Sequence, residues 1–295
     1  MTDPVLAVDV GGTKLAAALW HDGLGEPVVT PTGLHPWEDL VELLDPLADQ
    51  GIRAIGVGCG GPMHWPAGIV SPLNIPRWQG FPLREELQRR YAVPVRLHND
   101  AVCLAIAEHW QGGWGTDHLM GMVVSTGIGA GVVLDGRLLD GATGNLGHIG
   151  HVVVEPGGPT CTCGGAGCLE AVARGAAIVA WAVERGARVT TAVELGALAA
   201  QGDQVALQAF ARAGRAIGTA IASAVALLDV RVVTIGGGLS RVPSLWPTLR
   251  RTVRAQARLG YLEGLRVEPA ALGDRACLIG AAALVVEGDR YWRGD

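Results

Sequence analysis

One short pattern occurs twice in this chain, and the repeat restricts the fold more than any other feature. Residues 5–20 read VLAVDV, GGTK, LAAALW: a strand, a glycine turn, a strand. Residues 118–135 do the same with LMGMVVS, the turn Thr126-Gly127-Ile128-Gly129-Ala130-Gly131, and VVLDG. A dinucleotide fingerprint would need a helix after the glycines. Here Val132-Val133-Leu134 and then Asp135-Gly136 predict a second strand and a hairpin turn, so the Rossmann reading is rejected. The first turn is no Walker A loop either, because G-x-x-x-x-G-K-[ST] is absent. Two glycine hairpins, one opening each half, predict a duplicated fold that holds a polyphosphate from both sides. Asp9, Gly11, Gly12, Thr13 and Lys14 sit at the first turn. The glycines admit a phosphate close to the backbone, and Thr13 and Lys14 can donate to its oxygens. Lys14 is the only lysine in the chain. Either turn taken alone is equally an ordinary hairpin.

A second constraint lies between Gly144 and Glu170. His151, Cys161, Cys163 and Cys168 are spaced H-x9-C-x-C-x4-C. Three thiolates and an imidazole suit tetrahedral zinc, and four protein ligands close the shell, so the metal is expected to be structural. Zinc would pin a loop that carries His148 and Glu170 towards a ligand. Unrelated thiols or a disulfide are the other explanation. A C-x-C pair without C-x-x-C in a βαβ context gives little support to a redox module.

Between these features the chain alternates strands and helices. Helices are predicted over 36–49, 83–91, 101–110, 170–185, 192–200, 203–228, 245–256 and 278–287. Strands are predicted over 52–58, 68–76 (with a loop), 93–97, 230–235 and 265–269. Asn74 and Trp78 fall near a possible pocket. Asp100 lies where a strand ends and a helix begins, the position at which open α/β sheets collect ligands. A carboxylate there can take a proton from a substrate hydroxyl, or can simply cap the helix. Gly236-Gly237-Gly238 form a third glycine turn, bare enough to accept a flat base or ribose, or an ordinary turn. In 203–228 the apolar positions keep helical spacing, while alanine and glycine allow close packing in the core or across a subunit interface.

Composition excludes several classes. A chain of 295 residues with 49% apolar and 17% charged side chains is globular. A formal net charge of −5 argues against a nucleic-acid surface. The N-terminus lacks a basic signal-like region, and the run near Ile217–Val230 reads as too short and interrupted for a membrane span. A cytoplasmic, reducing compartment is expected, with Cys59, Cys103 and Cys277 as buried core residues.

Together these motifs resemble the ROK family of sugar kinases, within the actin-like ATPase superfamily. The resemblance covers nearly the whole chain. It rests on Asp9-Val10-Gly11-Gly12-Thr13-Lys14, Asn99-Asp100-Ala101, Ser125–Gly131, Gly147-His148-Ile149-Gly150-His151, the cysteine run ending Cys168-Leu169-Glu170, and Gly236–Gly238. It implies an actin-like ATPase (ribonuclease H-like) fold of two α/β domains with a cleft between them. The smaller domain would comprise residues 1–98 plus a C-terminal helix over about 276–295, and the larger residues 99–275. ATP and Mg²⁺ would be bound through Asp9, Gly11, Gly12, Thr13, Lys14, Thr126, Gly127, Gly129, Gly237 and Gly238. A hexose would be held by Gly61, Asn74, Asn99, Asp100, His148, His151 and Glu170, with Asp100 as general base towards the sugar 6-hydroxyl. His151 would use one ring nitrogen for structural Zn²⁺ and the other for the sugar. The resemblance also implies a homo-oligomer, dimer or tetramer, with no membrane or nucleic-acid partner.

One position departs from the family pattern. Most glucose-type members resembling this chain carry glutamate where His148 stands. Neutral histidine donates one hydrogen bond and accepts one, whereas carboxylate only accepts. A donor there could satisfy an N-acetyl carbonyl, as in N-acetylmannosamine, and set sugar choice; equally it is a tolerated variant in a glucokinase, and a third option is a 3-amino hexose such as kanosamine. The alternatives to a kinase are a sugar-responsive regulator and a catalytically silent sugar-binding protein. The first motif begins within ten residues of Met1, which is expected to leave no room for a helix-turn-helix.

Overall fold

The computed structural model describes residues 3–294. In chain order the elements begin with β1 (Val5–Val10), β2 (Lys14–Trp20), β3 (Val28–Pro31), α1 (Pro36–Ala48), β4 (Ala54–Cys59) and the short hairpin β5 (Met63–His64) and β6 (Ile69–Val70). There follow α2 (Leu83–Tyr91), β7 (Val95–Asn99), α3 (Asp100–Gln111), β8 (Leu119–Val124), β9 (Ile128–Leu134) and β10 (Arg137–Leu138). The chain continues with α4 (Leu169–Ala173), α5 (Gly175–Val183), α6 (Ala192–Ala200), α7 (Gln204–Leu228) and β11 (Val232–Gly236). It ends with α8 (Trp246–Gln256), β12 (Arg266–Pro269), α9 (Ala276–Val286) and α10 (Gly288–Tyr291).

The predicted duplication is present as strand order. One sheet runs β3-β2-β1-β4-β7 and the other β10-β9-β8-β11-β12. In each, the edge strand pairs antiparallel with the hairpin strand beside it, and two further strands add in parallel on the other side. The parallel strands β1 and β4 are apolar along almost their whole length because both sheet faces are covered. Asp135 and Gly136 both have positive φ, as a two-residue hairpin turn between β9 and β10 requires.

Two compact units emerge: Met1–Asp117, Gly131–Gly147 and Ala271–Asp295 form the first, and His118–Ala130 and His148–Ala270 the second. The cut passes through β9. This differs from the expected division, which placed 99–117 and 131–147 with the larger domain. In the first unit α3 packs backbone to backbone on α9: a Cβ on Gly280 would lie 1.8 Å from the Cys103 carbonyl oxygen. Fully buried Glu108 of α3 also accepts the Ala271 and Leu272 N–H groups at 2.9 and 2.8 Å and the Trp114 indole at 2.7 Å. A buried carboxylate with three donors is satisfied, and it ties the C-terminal segment to α3.

Two helix expectations change. The predicted helix over 170–185 breaks at Arg174, whose ψ of 159° separates α4 from α5. The run expected to be too short for a membrane belongs to α7, whose 25 residues are long and apolar enough to cross one, although half of the most apolar stretch is buried inside the protein. Its small residues serve core packing: Cβ atoms on Gly214 and Gly218 would fall 2.6 and 2.8 Å from the carbonyl oxygens of Leu245 and Leu249, at the start of and within α8.

Candidate active site and metal centre

Sheet register builds the first unit's face. Asp9 of β1 lies opposite Gly58 of β4, and Cys59 lies opposite Asn99 of β7. The carboxyl ends of three adjacent parallel strands therefore bring Asp9, Gly60-Gly61 and Asn99-Asp100 side by side. Asn99, and not Asp100, caps α3: its Oδ1 accepts the Ala101 N–H at 3.0 Å, and its Nδ2 donates to the Gly61 carbonyl at 3.3 Å. Asp100 is the first helical residue. Its Oδ1 shares the Ala101 N–H at 2.8 Å, and its Oδ2 lies 3.4 Å from where a Cβ on Gly60 would be. The carboxylate thus rests over bare backbone. Asn99 keeps one amide hydrogen and one lone pair for a ligand.

Asp9 is strongly perturbed. Burial pushes its carboxyl up to about 6, the negative charge of Asp100 adds to this, and the Cys277 thiol and Lys14 pull the other way. The thiol donates to Asp9 Oδ1 at 3.1 Å. Cys59 and Cys103 are buried as expected, but Cys277 is half-buried and touches the site. It reaches Asp9 because position 58 is glycine; a Cβ there would stand 2.5 Å from its sulfur. A contact across 268 positions leaves no local signal in the sequence.

The first hairpin tip is shaped locally. Gly11 N–H bonds to the Lys14 carbonyl at 3.0 Å, and the Thr32 hydroxyl donates to the Gly11 carbonyl at 2.7 Å. A Cβ on Gly12 would fall 2.2 Å from Asn74 Cβ, so the loop carrying Asn74 and the hairpin fit only with glycine here. Gly12, Thr13, Lys14 and Asn74 are exposed. Trp78 is not a pocket residue: it is 2% exposed and stacks on Phe81 at 4.6 Å in the core.

The second unit holds the other hairpin. Ser125 N–H bonds to the Gly127 carbonyl at 3.0 Å, closing a turn of Ser125-Thr126-Gly127. The turn is shorter than predicted, because β9 already begins at Ile128 and Gly129 lies in the strand. Glu170, buried at the start of α4, accepts the Ile128 N–H through Oε2 at 2.9 Å. Glu170 therefore braces the hairpin with one oxygen. The glycine turn at 236–238 lies against the same hairpin: a Cβ on Gly237 would be 2.5 Å from the Val124 carbonyl oxygen. Gly150 has no room for a side chain, with the Ile128 carbonyl oxygen 2.3 Å from its would-be Cβ. The short 3₁₀ turn Ile149–His151 is thereby seated on the hairpin, with the His148 and His151 rings near-parallel at 6.2 Å between centroids.

The cysteine loop gathers as its spacing predicts. One donor atom each from His151, Cys161, Cys163 and Cys168 lies within 4.8 Å of all the others. His151 Nδ1 is 3.7 Å from Cys161 Sγ, and Cys163 Sγ is 3.7 Å from Cys168 Sγ. A tetrahedron with Zn–S bonds of about 2.3 Å has edges of about 3.8 Å, so the donor set fits structural zinc. The separation is far too long for a disulfide. The backbone N–H of Gly165 holds the exposed Cys163 thiol below its usual range, and the neighbouring thiols add to this. Zinc on Nδ1 would leave Nε2 of His151 for a ligand.

The repeated sheet, with a glycine hairpin opening each half, defines an actin-like ATPase fold. The ROK family profile matches residues 5–287, and the chain belongs to that family. It is 34% identical to a glucokinase of Thermotoga maritima, over 96% of this chain and 97% of the relative. It is 32% identical to an N-acetylmannosamine kinase of Pasteurella multocida, over 96% of each. Among solved structures, a ROK hexokinase from Thermus thermophilus superposes with a TM-score of 0.84 at 38% identity, covering 97% of this chain and 99% of the other. A ROK glucokinase from Streptomyces griseus, solved with glucose and AMPPNP, superposes at 0.85 with 28% identity, covering 97% and 100%.

Proposed function

We propose that this protein is an ATP-dependent sugar kinase that phosphorylates the 6-hydroxyl of a hexose. The observation that carries the proposal is Asp100: a carboxylate at the end of a parallel strand, resting over glycine, on the same sheet edge as Asp9 and the exposed hairpin Gly11–Lys14. Phosphoryl transfer asks little covalent chemistry of a protein and much positioning and charge neutralisation. Asp100 accepts the proton of the attacking hydroxyl. The sugar oxygen bonds to the γ-phosphorus as the bond to the bridging β–γ oxygen breaks, and ADP leaves with that electron pair.

Gly11, Gly12, Thr13 and Lys14 are assigned to the phosphates in the first unit, and Ser125–Gly127 with Gly237 and Gly238 to phosphate and adenosine in the second. Asp9 would hold Mg²⁺, which would supply neutralisation of the developing phosphate charge. Asn74, the free valences of Asn99, His148, Nε2 of His151 and Oε1 of Glu170 are assigned to the sugar. The relatives named glucokinase and N-acetylmannosamine kinase support both a plain and an N-acetylated hexose. His148 can donate to an acetyl carbonyl or an amine lone pair, which favours an N-substituted hexose.

The test is ADP release from ATP·Mg²⁺ with glucose, mannose, N-acetylmannosamine, N-acetylglucosamine, kanosamine and fructose. Turnover should require a sugar, and Asp100→Asn should lower kcat by about 10²–10⁴-fold. Absence of turnover with every sugar in a folded, zinc-loaded sample would overturn the kinase reading in favour of a silent sugar-binding protein. His148→Glu should shift preference towards glucose; an unchanged ranking would remove His148 from specificity.

A further inference from the structure

We infer that His98 and Asp140 form a positioning pair that sets the orientation of Asn99 and Asp100. The inference rests on the kinase reading for its consequence, but its geometry stands by itself. His98 is the penultimate residue of β7 and is 1% exposed; Asp140 is 8% exposed and follows β10. His98 Nδ1 accepts the backbone N–H of Asn99 at 2.8 Å, so that nitrogen carries no proton. The proton is on Nε2, which faces Asp140 Oδ1 at 3.2 Å and donates to it. An imidazolium would set two N–H groups against each other at Nδ1, so this geometry requires the neutral Nε2–H tautomer.

The ring is also held sterically. The Trp65 indole lies against it at 5.8 Å between centroids, and on that indole's other contacts a Cβ at Gly144 would stand 2.5 Å away. The segment beginning at Asp140 is closed by Leu146 N–H on the Asp140 carbonyl at 3.1 Å and anchored by Asn145 Nδ2 on the Met63 carbonyl at 3.2 Å. Asp140 is therefore a fixed acceptor that locks the tautomer and rotation of His98. His98 in turn fixes the peptide plane from which the Asn99 side chain reaches both Ala101 and Gly61. The next residue is Asp100.

Stability alone is a weak reason for such a pair. A buried polar pair gains little over an apolar pair of equal volume, whereas directional hydrogen bonds specify one orientation. A general base displaced by about 1 Å costs on the order of 10²-fold in rate. Neither residue touches the reacting atoms, so both act through the Asn99–Asp100 turn.

The experiment compares Asp140→Ala with Asp140→Asn, using the sugar that the wild type turns over best. Asp140→Ala should lower kcat about 10–100-fold with KM for ATP within about twofold. Asp140→Asn, whose amide oxygen still accepts from Nε2–H, should recover kcat to within about threefold of wild type. Wild-type kcat in folded Asp140→Ala, or equal losses in both variants, would overturn the inference. Should Asp140→Ala fail to fold, His98→Asn and His98→Leu replace it. Asparagine keeps an acceptor near the Nδ1 position and should retain at least about ten times the kcat of leucine; equal values would overturn the inference.

Selective ¹⁵N-histidine NMR separates this inference from the kinase reading. The wild type must show His98 with unprotonated Nδ1 and protonated Nε2, and the Asn99 and Asp100 amide resonances must move in Asp140→Ala but not in Asp140→Asn. The opposite tautomer, or unmoved resonances, refutes the pair even if turnover is robust. A correct tautomer in a protein that turns over no sugar sustains the pair and refutes the kinase.

Discussion

The two glycine hairpins share a strand frame and differ in how their tips are held. The first carries charge, with Asp9 and Lys14 at its ends, and is held by its own Gly11–Lys14 turn bond, by the neutral Thr32 hydroxyl on Gly11 and by the Asn74 loop pressed on Gly12. The second has an uncharged tip, Ser125-Thr126-Gly127, and is braced from 42 residues away by Glu170, two residues after Cys168 of the candidate metal cluster. The same backbone device is thus held once by a neutral hydroxyl and a packed loop, and once by a buried carboxylate beside the cysteine cluster. The four donors fit structural zinc, and the comparison predicts that a metal held there would act on turnover through the hairpin that Glu170 braces, and not through its own reactivity.

Removing zinc should therefore break the comparison most strongly. Chelation, or Cys168→Ser, should lower the melting temperature by about 5–10 °C and turnover by at least about tenfold, with one zinc per chain measured before treatment. A zinc-free protein with unchanged kinetics would show that the loop holds itself.

Next in size is the brace. Glu170→Ala leaves the Ile128 N–H without its charged acceptor and should cost about 1.5–3 kcal/mol, read as a rise in KM for ATP and a loss in kcat. The matching change at the first hairpin, Thr32→Val, removes a neutral hydrogen bond to Gly11 and should cost only about 0.5–1.5 kcal/mol. Equal effects would mean that the two tips are held alike.

A further effect is on stability and its pH dependence. Burial pushes the Asp9 carboxyl in the folded protein up to about 6, above the ordinary 3.8. Between these values the native state binds more protons than the unfolded state, so this group's contribution falls as pH rises from about 4 to about 6 and stays unfavourable above that. Asp9→Asn, although expected to be inactive, should stabilise the protein at pH 8 by about 1–2 kcal/mol, and the gain should vanish near pH 4. A gain independent of pH would assign it to packing.

Much of the fold was legible because its signals are local. Apolar runs ending in glycines gave both hairpins, and the Asp135-Gly136 turn was read correctly from type alone. Boundaries moved where backbone geometry intervened: Arg174 splits a helix, and Ile128 starts β9 earlier than the glycine string suggested. At the candidate site, Asp100 was placed correctly at the strand end, but the cap role belonged to Asn99. Trp78 went to the core because an aromatic near a loop carries no mark of which way it faces.

By itself the sequence determined the strand–turn–strand repeat, the ROK motifs and the set of four candidate metal donors, because each is carried by residues within a short stretch of chain. Tertiary structure alone decided that Cys277 donates to Asp9, that Glu170 holds Ile128, and that Asp140 locks His98. Those contacts join segments 268, 42 and 42 positions apart. Sheet register and helix packing bring them together, and directional hydrogen bonds between distant segments leave no periodicity for a sequence to show.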